Sequence, residues 1–189
     1  MVEATIYFGY GSNLWKKQMR MRCLDSKYLG VARLNDYKWI INDRGYANVV
    51  QVSSKIDATD VEYSYGLVYC LSKSDEDKLD LNEGVPIAYQ KEHLQVDFWE
   101  SKGGKAVDIS EEPEKVKMLV YIDRNRTAPH DPKHEYIYRM NQGIKDAVAA
   151  GVPQRYIDKV LRKFIPDRHD ESVESFAQKQ ATRFIDENV

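Results

Sequence analysis

Cysteine is scarce in this chain: Cys23 and Cys70 are the only two. Two cysteines make no disulfide framework, so a reduced, cytoplasmic setting is expected. Cys70 sits in an apolar, strand-like run and reads as buried filler. An excess of positive charge is missing too. The 28 Lys and Arg face 30 Asp and Glu, a net charge of −2. A phosphate backbone is held by surplus cations, so nucleic-acid binding is disfavoured. No apolar run approaches the ~20 residues that span a bilayer, and no membrane association is expected. Residues Met1 to Thr5 lack the basic and apolar regions of a signal peptide.

Several chemistries lack their residues. The four histidines, His93, His130, His134 and His169, are scattered. His130 and His134 are four apart, but Pro132 between them argues against one helix presenting both, so no metal site is expected. No phosphate-loop pattern and no Gly-x-Ser-x-Gly elbow occur. Ser12 has no evident histidine partner, which weakens it as a nucleophile.

What is present is an ordinary globular composition, 42% hydrophobic and 31% charged over 189 residues. That length suits one domain with a sizeable core. Strand-like Ala4–Gly9 runs into Tyr10-Gly11-Ser12-Asn13-Leu14. A strand ending at such a run delivers a loop of backbone N–H groups, and glycine lets that backbone approach a ligand closely. Such a concavity suits a carboxylate or an oxyanion formed during acyl transfer. A ligand-free strand–turn–helix junction is the alternative, because these are common turn residues.

Leu14–Arg22 reads as a short basic helix or irregular turn whose charge forms a solvated face. Two strands within 27–41 meet at Asn35-Asp36, and Ala47–Val52 is a third, with Asn48 in an apolar setting. Asn48 therefore needs partners, and orienting a loop, a ligand or only the fold are all open to it. Ser53–Asp60 is a polar connection. Tyr63–Leu71 alternates strictly and predicts a strand. Ser72 or Ser74 caps a following helix, which ends near Asn82-Glu83-Gly84. Tyr89–Trp99 alternates again, Gly103-Gly104 predicts a hairpin turn with a short return strand over 106–109, and Val116–Ile122 is the last strand. Lys133–Ala150 and Gln154–Ile165 carry helical spacing, separated by Gly151 and Pro153. These features predict an α+β fold, a curved sheet or small barrel with a C-terminal helical layer. Residues 1–166 form the single expected domain and 167–189 a peripheral, partly helical tail.

Glu83 is the candidate acid/base. A carboxylate at the negative end of a helix is mildly disfavoured as an anion, and a partly closed pocket raises its pKa further. A group poised that way can take a proton and return it. A solvated Glu in a polar turn is the other reading.

Tyr10-Gly11-Ser12-Asn13-Leu14, followed about seventy residues later by Asn82-Glu83-Gly84-Val85 and then Tyr89, resembles the γ-glutamylcyclotransferase (AIG2-like) family. Val31–Lys38, Gly66–Tyr69, Thr127–Pro129 and Gly151–Pro153 with Tyr156 extend the likeness over most of residues 6–166. The Arg139–Ile144 segment is most similar to fungal members. The resemblance implies a small mixed barrel flanked by helices, no metal and no organic cofactor, a small γ-glutamyl substrate and room for a homodimer. It implies cyclisation of a γ-glutamyl amide to 5-oxoproline, with Glu83 as catalytic acid/base and Tyr10 to Leu14 as the substrate-binding loop. Tyr89 corresponds to a pocket tyrosine. A second is expected where the proline loop meets the last helices; His134 and Tyr136 both stand there, and Tyr136 is preferred. A binding module that retains γ-glutamyl or 5-oxoproline recognition without turnover is the alternative, and a scaffold using its 13 tyrosines on a protein partner is a third reading.

Overall fold

The computed structural model describes residues 4–52 and 62–184. The polar connection expected over Ser53–Asp60 and the last five residues of the tail lie outside them. The described residues form seven strands: β1 (Thr5–Gly9), β2 (Lys27–Asn35), β3 (Tyr37–Ile41), β4 (Ala47–Gln51), β5 (Tyr63–Leu71), β6 (Gln90–Glu100) and β7 (Glu114–Ile122). Five helices accompany them: α1 (Lys16–Arg22), α2 (Lys73–Asn82), α3 (His134–Ala150), α4 (Gln154–Lys159) and α5 (Glu171–Thr182).

Strands β1-β5-β2-β6-β7 close into a barrel, and β3-β4 form a separate two-stranded sheet. All barrel pairings are antiparallel except the closing one, where β1 lies parallel to β7 at Tyr7–Leu119. Closure of the barrel removes its free sheet edges. Strand β5 is buried along nearly its whole length. Its alternation therefore separates two buried faces rather than core from water. The main core runs from Phe8, Val31 and Leu67 in the barrel to Met140, Ile144 and Ile157 in the helices.

Local chemistry sets the helix ends. Ser72 caps α2, its Oγ accepting the Asp75 N–H at 3.1 Å. Gly151 ends α3 as expected from its place before Pro153.

Four expectations need correction. Residues 106–109 form no strand; the Val107 N–H bonds Ala150 O instead, tying the segment to the end of α3. The helix expected over 154–165 stops at Lys159, because Val160 leaves helical geometry (φ −115°), and a 3-10 turn at Leu161–Lys163 follows. The basic α1 is no solvated face throughout: Arg22 is 5% exposed. Finally, α5 is not peripheral, since Ala177 and Ala181 pack with Trp15 and Tyr138 in a second small core. Small side chains there let α5 approach α1 and α3 closely.

Candidate functional site

A cleft opens where β1 ends. Tyr10 turns the chain out of the barrel. Its hydroxyl donates to Tyr121 O in β7 (2.6 Å), while Trp39 Nε1 donates to Tyr10 O (3.0 Å). Gly11 then passes close to two walls: a Cβ there would lie 2.8 Å from Tyr136 Oη and 3.1 Å from Ala47 Cβ. Ser12–Leu14 make one 3-10 turn, with the Leu14 N–H on Gly11 O (2.9 Å). Gly11→Ala would have to push Tyr136 aside.

Helix α2 delivers the acid. Its ten residues are about 15 Å long at 1.5 Å each, close to the length of five-residue β1. It starts beside Thr5, whose hydroxyl donates to Glu76, and so ends level with the loop after Gly9. Glu83 caps it in near-helical geometry, and Gly84 takes φ +63°, where a Cβ is disfavoured. The turn aims Glu83 at the cleft. Asn13 Nδ2 donates to Glu83 Oε1 at 3.2 Å and to Tyr7 Oη at 3.0 Å.

The orientation of the Asn13 amide is fixed from behind. Its Oδ1 accepts from Gln18 Nε2 (2.8 Å) and Arg22 Nη1 (3.2 Å); a guanidinium can only donate, so the NH₂ must face Tyr7 and Glu83. Arg22 is held by carbonyl oxygens near the end of α5, Nε on Ala181 O (2.9 Å) and Nη2 on Gln180 O (2.8 Å). Ser12 Oγ accepts from Gln18 Nε2 (2.9 Å) and Arg139 Nη1 (3.1 Å). Arg139 is locked by a bidentate pair with buried Glu135, at 2.8 and 2.9 Å.

Six tyrosines line the cleft, Tyr7, Tyr10, Tyr89 and Tyr136 among them. Tyr89 donates to Ala47 O at 2.7 Å. Tyr136 Oη accepts two backbone N–H groups, from Ser12 (3.1 Å) and Ala47 (3.3 Å). With its oxygen so engaged, the Tyr136 O–H is the donor available to a ligand. Burial holds the Tyr7, Tyr10 and Tyr89 hydroxyls well above their usual pKa and Tyr136 at about 12, so all four stay neutral. Burial also raises the Glu83 carboxyl, against the lowering pull of Arg22, Arg139 and Arg44 and of the Asn13 hydrogen bond. Burial lowers the Arg22 guanidinium to about 10, which leaves it charged at neutral pH. A partly buried carboxylate thus faces neutral hydroxyls and cations across the cleft. Among the described residues, no cluster of His, Cys, Asp or Glu is placed to hold a metal ion.

Tyr10, Gly11, Ser12, Asn13, Glu83, Tyr89 and Tyr136 all line this cleft. Leu14 does not; its side chain is buried against Gly143 and its N–H is used within the turn. His134 is exposed at the start of α3 and does not line the cleft. Asn48 holds the loop after β7, donating to Asp123 O and Arg126 O and accepting the Asp123 N–H. Sequence reading missed Tyr7, Arg22, Tyr46, Asn82, Tyr121, Arg139 and Phe184, which also line the cleft. The Glu135–Arg139 pair carried a usable signal, opposite charges four apart on one helix. Phe184 showed only as a sparse apolar point in a polar tail.

Comparison with known proteins bears on this arrangement. The family described as "Gamma-glutamyl cyclotransferase, AIG2-like" matches residues 7–140. A human protein named gamma-glutamylcyclotransferase is 26% identical over 196 residues, covering 97% of this chain and 93% of its own. A solved structure named gamma-glutamyl cyclotransferase superposes with a TM-score of 0.68 at 24% identity, covering 94% of this chain and 99% of its own. The crystal structure of an uncharacterized human protein gives 0.67 at 23% identity, over 93% and 99%. At those identities the two structures establish the fold.

Proposed function

Because the chain belongs to the gamma-glutamyl cyclotransferase, AIG2-like family, we propose that it releases 5-oxoproline from a γ-glutamyl amide, with Glu83 shuttling the proton. The observation that carries this reading is the 3.2 Å bond between Asn13 and Glu83, which joins the loop and the acid across one cleft. The glutamyl end lies at the buried floor. There the Ser12 region, the Tyr136 hydroxyl and Arg139 offer donors to anionic oxygen. The substrate's α-amine arrives protonated, and the Glu83 carboxylate takes a proton from it. The freed amine attacks the γ-carbonyl, and the new C–N bond closes a five-membered ring. Negative charge builds on the carbonyl oxygen and is met by donors already fixed in place. Glu83 then gives the proton to the amide nitrogen, the carbonyl reforms as the C–N bond to the departing group breaks, and the restored carboxylate takes the remaining extra proton from the ring nitrogen and passes it to the departing amine, which leaves as an ammonium. Nucleophile and electrophile belong to one molecule, so folding the glutamyl chain supplies much of the acceleration. The reaction needs no nucleophilic side chain.

Incubation with a panel of γ-glutamyl amides, with 5-oxoproline detected by mass spectrometry, tests the proposal; release from none of them would remove it. The pH profile adds a second check. Glu83 must be ionised to accept a proton, and burial raises its pKa. The acid limb of kcat/KM is therefore expected above the ~4.3 of an unperturbed glutamate, with activity falling as pH drops through it. An acid limb at or below that value contradicts the assignment.

A further inference from the structure

The two described residues after α5, Arg183 and Phe184, stay on the protein. Arg183 turns extended (φ −141°, ψ 110°) and sets Phe184 over the cleft. The Phe184 N–H donates to Asn82 Oδ1 at 2.9 Å, on the residue just before Glu83. The ring meets Tyr46 edge-on, with centroids 5.0 Å apart, and lies 5.7 Å from the Arg139 guanidinium. One residue thus bridges three walls: the end of α2, the turn between β3 and β4, and α3. The segment before it is anchored as well, because Gln180 O and Ala181 O grip Arg22.

Burial tells which end of the cleft this is. Tyr10, Ser12, Asn13, Tyr89 and Tyr136 form a buried floor, whereas Asn82, Glu83 and Phe184 are only partly covered and stand at the mouth. On the reading given above, the glutamyl part occupies the polar floor. The group on the amide nitrogen must then point toward the mouth, past Glu83, where Phe184 stands. We propose that Phe184 is a specificity-determining residue, an aromatic wall that packs against the departing amine or amino acid and limits its size. This inference rests on the proposed cyclotransferase reading for the direction in which substrate lies.

The test compares γ-glutamyl-alanine with γ-glutamyl-tryptophan in wild type, Phe184→Ala and Phe184→Trp, measuring kcat/KM for 5-oxoproline release and Kd by calorimetry. The ratio of tryptophan to alanine substrate is expected to rise about tenfold in Phe184→Ala and to fall in Phe184→Trp, the scale at which an apolar pocket discriminates size. A merely structural role would move both substrates together and leave the ratio unchanged. The two variants act in opposite senses, so one that fails to fold leaves the other decisive. If 5-oxoproline forms but neither variant shifts the ratio, the wall is overturned while the cyclotransferase reading stands. If both compounds bind, their affinities shift in the expected opposite senses and no 5-oxoproline forms, the wall stands and that reading falls. Binding of neither compound by the wild type overturns both.

Discussion

Glu83→Gln is expected to release 5-oxoproline about 10²–10⁴-fold more slowly than wild type, with KM little changed. Gln keeps the size of the side chain and can keep an oxygen toward Asn13 Nδ2. What it loses is the ability to accept and return a proton, so the deficit belongs in kcat. Stability should move the other way. Burial raises the folded-state pKa of Glu83 above the ~4.3 of the unfolded chain. Its contribution is fully present below that unfolded value and is lost as pH rises through the folded one. At pH 7 the ionised side chain is therefore a cost that glutamine does not carry. The Tm of Glu83→Gln at pH 7 should be no lower than that of wild type, and the two should converge below about pH 4. Thermal melts across pH check this; a large drop in Tm at pH 7 would mean that lost activity reflects lost structure.

Arg139→Met should have the largest effect on stability. Arg139 is 1% exposed and makes a bidentate pair with Glu135, itself 5% exposed. Removing the guanidinium leaves a buried carboxylate without its partner, which typically costs about 3–5 kcal/mol. For a chain of this size that is roughly 6–20 °C in Tm. The double variant Glu135→Gln/Arg139→Met removes the stranded charge and should recover a substantial part of the loss, which a double-mutant cycle measures. Activity should not recover with it, because the Arg139 bond to Ser12 Oγ is gone in both. Equal loss in the single and double variants would show that the cost comes from packing rather than from the unpaired acid.

The sequence yielded whatever was encoded in neighbouring residues. Strand β5 could be read because Tyr63–Leu71 alternates without interruption, and α2 because Ser72 supplies a cap whose geometry is local. The paired loop and acid could be read through resemblance, since both are short runs with defined residues. Arg22 shows where local reading stops. On its own helix it is one more basic residue, and only the carbonyl oxygens of Gln180 and Ala181, from the far end of the chain, turn it into a buried prop for Asn13. Phe184 fails for the same reason: its meaning comes from Asn82, Tyr46 and Arg139, which are distant in sequence. Residues 106–109 misled through Gly103-Gly104, which does turn the chain, but into a segment bound to α3 rather than a strand. Leu14 sits in the motif, yet the 3-10 turn points it into the core.

The most direct measurement is the product balance for one γ-glutamyl substrate in ¹⁸O-labelled water, run with wild type and Glu83→Gln side by side. Ring closure by the substrate's own amine predicts one unlabelled 5-oxoproline for each amine released by the wild type, no glutamate, and almost no product from the variant. Labelled glutamate, or equal product from both proteins, would contradict it.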